Sequence, residues 1–138
     1  IQLTQQFEFS ASHRLHNPDL SDEENRQLFG KCNNPHGHGH NYLLKVTVEG
    51  SPGDNGRLVP LEAFESLVKR QVIDRLDHRN LNVEVEQFGE LNPSVENIAV
   101  VIWDMLQEPV ATLGEGQARL ACVRVYETPK TWADYFGK

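Results

Sequence analysis

Histidines open the chemical reading of this 138-residue chain. His38 and His40 are two positions apart at the head of an alternating apolar and polar run. Both imidazoles therefore project from one face of a strand, roughly 6–7 Å apart at the backbone. His13 lies on the apolar parity of an earlier alternating run, from which it can face them across a sheet. Three imidazoles and an open fourth position form the donor set of a catalytic zinc, which polarises an oxygen bound in the open place. A structural zinc would draw on more cysteine and be closed, whereas iron and copper also accept three imidazoles. A lone histidine on an apolar face is ordinarily a core residue. The HGH spacing joined to an inward His13 is what favours a metal site. His36 shares the parity of His38 but precedes Gly37 in a loop and ranks behind the other three. His16 reads as a loop or surface residue.

Other groups could work beside such a metal. Cys32 follows Lys31 in a glycine-containing loop. A neighbouring cation lowers a thiol pKa and favours the thiolate, the form that acts as nucleophile or base. An inert loop cysteine is the competing reading. Asp77 and His78 follow the first long helical pattern. A carboxylate can fix an imidazole's tautomer and raise its basicity, although capping of a helix end explains the pair equally simply. Glu127 ends the one-parity series Ala121, Val123, Val125. A carboxylate there needs a partner, such as the N–H edge of a guanidine-like ring, or access to water. Glu96 falls in the first turn of the second long helix, where the helix dipole alone accounts for an acid.

These groups need a scaffold, and the hydrophobic periodicity supplies one. Ile1, Leu3, Phe7, Phe9, Ala11 and Leu15 share one parity, which predicts a half-buried strand over 1–15. Residues 17–29 read as a loop carrying a short helix, with Ser21 and Glu24 as a capping box. Residues 30–39 are loop, and a second strand is expected from His40 to Glu49. After a turn at 51–56, the series Leu61, Phe64, Leu67, Val68, Leu76 predicts a helix behind Pro60. A polar connection spans 77–93. A second helix is expected from Asn92-Pro93-Ser94, with the stripe Val95, Ile98, Ala99, Ile102, Leu106 and a stop at Pro109. Strands over 119–127 and 131–136 complete a single domain, residues 1–138, of the α+β class.

Composition narrows the partners. Asp and Glu outnumber Lys and Arg by 20 to 13, for a net charge of −7. No Lys/Arg cluster stands out in the sequence, which argues against nucleic acid. An anionic substrate would need locally focused cations, for example at Arg14, Lys31 or Arg79. No apolar stretch approaches the roughly 20 residues that span a bilayer. Cys32 and Cys122 occupy dissimilar contexts, so unpaired thiols and a cytoplasmic location are expected.

Taken in order, FSASHRL (9–15), LSDEEN (20–25), FGKCNNPHGHGHNY (29–42), LDHRNLN (76–82), PSVENIAVVIW (93–103) and VRVYET (123–128) resemble the 6-pyruvoyl-tetrahydropterin synthase family. The resemblance implies the tunnelling fold (T-fold): a four-stranded antiparallel sheet with two helices between strands two and three, closed into a barrel by oligomerisation. It implies a homohexamer, a dimer of trimers, with active sites between subunits. It further implies a lyase that eliminates triphosphate from 7,8-dihydroneopterin triphosphate. Zn2+ would be held by His13, His38 and His40, with Cys32 as proton-abstracting base. Asp77 and His78 would form an acid/base pair from a neighbouring subunit. Glu127 would be a relay or pterin contact, and Glu96 and Ser94 would bind the pterin. The rival product within the family is 6-carboxy-tetrahydropterin, on the route to deazaguanines such as queuosine. A non-catalytic zinc- and pterin-binding oligomer is the alternative of another class. His36 stands where the animal enzymes carry asparagine and offers a rival ligand.

Overall fold

The computed structural model describes residues 1–114 and 117–138. Its centre is one antiparallel pair: β1 (Gln2–His13) runs against β2 (His38–Glu49) from Gln2 opposite Glu49 to His13 opposite His38. Between them lie α1 (Asp22–Phe29) and a 3-10 turn, Gly30–Asn33. The capping box at the head of α1 is present, with Ser21 Oγ accepting from Glu24 N and Glu24 Oε1 accepting from Ser21 N. The second strand begins two residues before the expected His40, because His38 already pairs with His13.

The next stretch is helical in three joined pieces: α2 (Leu61–Val68), a wide π turn (Lys69–Ile73) and α3 (Asp74–Leu76). Phe64, Val68, Val72 and Leu76 are all fully buried, each four residues after the last. A strict step of four drifts about 40° per turn on an α-helix, and a wider turn cancels that drift. The chain continues through β3 (Arg79–Asn80), α4 (Leu81–Glu84) and a 3-10 turn at Glu86–Phe88 to α5 (Val95–Ala111). β4 (Arg119–Thr128) and β5 (Thr131–Tyr135) then form a hairpin against β2.

The sheet order is β3-β1-β2-β4-β5, five strands where four were expected. The extra one is β3, two residues paired in parallel with Ala11 and Ser12. Asp77 Oδ1 accepts from Ser10 N (2.8 Å) and His78 N donates to Ser10 O (2.6 Å), which stitches the polar segment to β1. Nothing in a run as polar as DHRN alternates, so hydrophobic periodicity carries no sign of it.

Two further expectations are corrected. Pro109 does not stop α5, which runs on to Ala111. A proline this close to a C-terminus removes one backbone bond only. The helix ends where Thr112 N and Oγ1 both donate to Pro109 O and Gly114 turns left-handed at φ +61°. A Cβ on Gly114 would lie 2.4 Å from Leu58 O. In β4, Ala121 is bypassed by a bulge, since Thr47 pairs with Cys122 and Val48 with Leu120. Leu120 and Val123 therefore both face the core, which parity cannot give.

α5 packs across β4 and β5, and α2 packs against α5. Together they cover the face bearing Phe9, Tyr42, Leu44, Val46, Val123 and Val125, all buried. The opposite face carries Thr4, Ser10, Asn41, Lys45 and Thr47, as befits an antiparallel sheet with one side in water. Both cysteines are free. No helix among the described residues is long and apolar enough to cross a membrane.

One buried polar residue ties α1 to the loop before it. Asn25 is fully buried. Its Oδ1 accepts from Asn17 N, and its Nδ2 donates to the carbonyls of Asn17, Leu20 and Ser21. Asn25→Ala strands these groups and is expected to lower stability by about 2–3 kcal/mol in urea unfolding. An effect below about 0.5 kcal/mol would mean the tie contributes nothing net.

Candidate active site

The β1–β2 register brings His13 opposite His38, and His40 follows on the same face. The three rings meet edge to face, with centroids 4.7–5.0 Å apart. His13 Nε2 lies 3.1 Å from His38 Nε2, which lies 2.9 Å from His40 Nε2. His13 is fully buried, and its Nδ1 stands 2.7 Å from Pro93 O. A carbonyl only accepts, so Nδ1 carries the proton and the Nε2 lone pair points into the cluster. Tyr42 Oη lies 3.4 Å from the same Nδ1.

These nitrogens fit a cation. Burial, first, lowers the His13 pKa, and burial likewise lowers that of His40, so both rings favour the neutral form with a free lone pair. His38 Nδ1 is buried with no hydrogen-bond partner among the described residues. The Nε2 atoms of all three rings converge, with the His13 lone pair aimed among them. A tetrahedral zinc at 2.0–2.1 Å would set its nitrogens ~3.3 Å apart, close to the spacing present. Ligand atoms of His13, Cys32 and His38 all lie within 4.8 Å of one another, as do those of His13, His40 and Glu127. The cluster can therefore hold a metal ion.

Cys32 and Glu127 reach the cluster by different routes. The 3-10 turn carrying Cys32 is fastened by Leu15 N donating to Cys32 O (2.8 Å) and Asn33 Nδ2 donating to Leu15 O (2.7 Å). The same amide donates to His16 Nδ1 (3.0 Å), which makes His16 part of this loop's fastening. The expected lowering of the thiol pKa by Lys31 is corrected. Lys31 is exposed, and burial, with Glu127 adding, pushes the Cys32 thiol up. Glu127 sits at a second bulge, between the pairs Tyr126–Trp132 and Thr128–Thr131. Its Oε1 lies 4.0 Å from His40 Nε2. A bulge re-aims a side chain at the end of a strand, which places this carboxylate beside the imidazoles.

The remaining candidates are not among the converging ligand atoms. Asp77 and His78 are joined, Oδ2 to Nδ1 at 2.9 Å, and His78 lines a groove with Ser10, Ser12, Asn41 and His40. Ser10 N–H, first, and His78 hold the Asp77 carboxyl below its ordinary range. The His78 side chain is 82% exposed and its backbone is left-handed at φ +61°, unusual for a non-glycine residue. Ser94 caps α5, accepting from Asn97 N at 3.3 Å. Glu96 is exposed in the first turn of that helix. His36 is also exposed and belongs to neither group of converging ligand atoms. Periodicity missed Pro93, whose carbonyl orients His13, and Asn33. The only prior signal for either was its place beside a motif.

A ligand lost from a three-histidine set should cost more than the roughly 10–100-fold that loss of an orienting partner costs. His40→Ala is expected to weaken divalent-metal binding beyond that range in competition titrations with a chelator, and His36→Ala to leave it unchanged. The opposite ranking would make His36 the ligand.

Known proteins resemble this chain over nearly its whole length. The family model described as 6-pyruvoyl tetrahydropterin synthase matches residues 2–138. The chain is 43% identical over 140 residues to the 6-pyruvoyl tetrahydrobiopterin synthase of Homo sapiens, covering 99% of this chain and 92% of the human one. It is 42% identical to the enzyme of that name from Drosophila melanogaster, covering 98% of this chain and 79% of the other. The solved structure of Caenorhabditis elegans 6-pyruvoyl tetrahydropterin synthase superposes with a TM-score of 0.91 at 37% identity, over 100% of this chain and 96% of that one. With a family model matched over residues 2–138, relatives above 40% identity over nearly the full length and the fold in common, the chain belongs to the 6-pyruvoyl tetrahydropterin synthase family.

Proposed function

We propose that this chain eliminates inorganic triphosphate from 7,8-dihydroneopterin triphosphate to give 6-pyruvoyl-tetrahydropterin, with zinc held by His13, His38 and His40. The observation that carries the reading is the convergence of three imidazole Nε2 atoms within 3.1 Å of their neighbours, with Cys32 and Glu127 alongside. The names of relatives above 40% identity over nearly the whole chain support the pyruvoyl product.

When bound there, the ion supplies a positive charge that polarises a substrate hydroxyl oxygen and favours the neighbouring thiolate. Cys32 removes the C–H proton of the carbinol carbon beside the ring. The electron pair passes into the ring C=N bond, which is reduced and protonated as the carbinol becomes a ketone. A second proton loss, from the next side-chain carbon, expels triphosphate and leaves an enol that becomes the second carbonyl. His78 returns protons through Nε2, because Asp77 occupies Nδ1. Its exposure supports delivery of this pair to the site of a neighbouring subunit, within a hexamer built as a dimer of trimers. Glu127 accepts from the amino and ring N–H edge of the pterin, with Glu96 and Ser94 as further contacts at the head of α5. A misplacement of about 1 Å in that edge can cost 100-fold in rate.

Zinc-loaded protein incubated with 7,8-dihydroneopterin triphosphate should release triphosphate and a pyruvoyl product, read by mass spectrometry. Cys32→Ala is expected to lower turnover by about 10²–10⁴-fold, the range for loss of a general base. A carboxy product would move the chain to the deazaguanine branch. No turnover by protein that binds both zinc and pterin would leave a binding protein. Asp77→Asn keeps an acceptor for Ser10 N–H yet loses the charge facing His78, and is expected to lower kcat at least about tenfold with little change in KM.

A further inference from the structure

Next to the histidine cluster along the chain, residues that line a recess include Arg14, Arg26 and Lys31, with Asp22 as its one carboxylate. Three cations against one anion leave an excess of two positive charges, in a chain whose net charge is −7. Such an excess is not background on an acidic surface and focuses potential locally. Among the described residues the Lys and Arg ion pairs involve Arg79, Arg119 and Arg124, and none of these three cations.

The recess is built rather than incidental. Arg14 is held from both sides of its peptide, its N donating to Asn82 Oδ1 (2.7 Å) and its O accepting from Asn82 Nδ2 (2.8 Å). Its Nε donates to Asn33 O (3.2 Å), which fixes the guanidinium against the cysteine turn and leaves the terminal nitrogens for a ligand. Arg26 lies in the last turn of α1, the helix that Asn25 locks to its loop. A cation there suits the helix dipole, but that role does not bring Arg14 and Lys31 to the same hollow. The lining also adjoins the cluster along the chain. Arg14 follows His13, Lys31 and Asn33 bracket Cys32, and Leu15 N–H bonds Cys32 O between them. Guanidinium forks match the paired oxygens of phosphate, and a lysine adds a mobile point charge.

We propose that Arg14, Arg26 and Lys31 form a polyphosphate-binding recess that holds the triphosphate tail of the substrate and the inorganic triphosphate released from it. This inference rests on the reactivity proposed above for its choice of ligand, and on the recess for everything else. Arg26 and Lys31 are exposed and take no part in the proposed chemistry, so both can be changed without disturbing the fold.

The test is calorimetric titration of the zinc-loaded protein with inorganic triphosphate and, separately, with unphosphorylated 7,8-dihydroneopterin. In the Arg26→Gln, Lys31→Gln double variant, triphosphate affinity is expected to fall about tenfold or more. The affinity for 7,8-dihydroneopterin should hold, and the Arg26→Lys, Lys31→Arg variant should keep most of the triphosphate affinity. For the intact substrate, KM should rise with kcat little changed. Equal triphosphate affinity in wild type and the Gln variant would overturn the recess, as would equal losses for both ligands. A wild-type protein that turns over substrate yet does not bind triphosphate would also overturn it while leaving the proposed activity in place. Binding of triphosphate that depends on Arg26 and Lys31, in a protein with no turnover, would instead uphold the recess and remove the activity.

Discussion

The candidate site depends on the register of one antiparallel pair. β1 and β2 are matched residue for residue over their full length, and the match ends with His13 opposite His38. Side chains alternate with a period of two, so a slip of one residue would carry His13 to the solvent face together with Phe9 and Ala11. Phe9 stacks on its partner Tyr42 at 4.9 Å, and Leu44, Val46 and Val48 continue the buried row. The apolar contacts that hold the register are thus the contacts that hold the ligand geometry. α5 presses on the same face, and Pro93, two residues before its start, adds the carbonyl that sets the tautomer of His13.

Burial then acts on the site in two directions. It favours neutral imidazoles, which is what a cation requires of them. It also favours the neutral thiol at Cys32, and the nearby Glu127 carboxylate pushes the same way. Without added positive charge the cluster is a poor base surrounded by good ligands. A cation answers both conditions at once, since it uses the lone pairs and offsets the cost of a thiolate. The excess positive charge at Arg14, Arg26 and Lys31 lies along the chain from this cluster, in an otherwise acidic protein.

The sheet also holds the proposed chemistry in two parts. The imidazoles, Cys32 and Glu127 converge at one end of β1 and β2, while Asp77 and His78 are tethered to the backbone of Ser10, and His78 lines a groove that His40 also reaches. The tether is strong and the imidazole at its tip is free, which suits a group fixed in one chain and presented outward. Two weak signals in the sequence, an acid beside a histidine after a helix, thereby become a hydrogen-bonded pair on a left-handed backbone.

The sequence by itself determined most of what is periodic or local. Alternation marked β1, β2 and β4, the helical spacing of Leu61, Phe64, Leu67 and Val68 marked α2, and Ser21 with Glu24 marked the head of α1, because each signal is written in neighbouring residues. The HGH spacing put two imidazoles on one face for the same reason. The tertiary structure alone decided what depends on contacts distant in the chain. β3 exists because Ser10 bonds Asp77 and His78, and His13 is oriented by a carbonyl 80 residues away. The bulges at Ala121 and Glu127 reset parity through partner strands that no local pattern can register. The sign of the Cys32 shift was likewise decided in space. Lys31 is adjacent in sequence yet points to water, whereas burial and a carboxylate from the far end of the chain surround the thiol, and desolvation outweighs a screened charge.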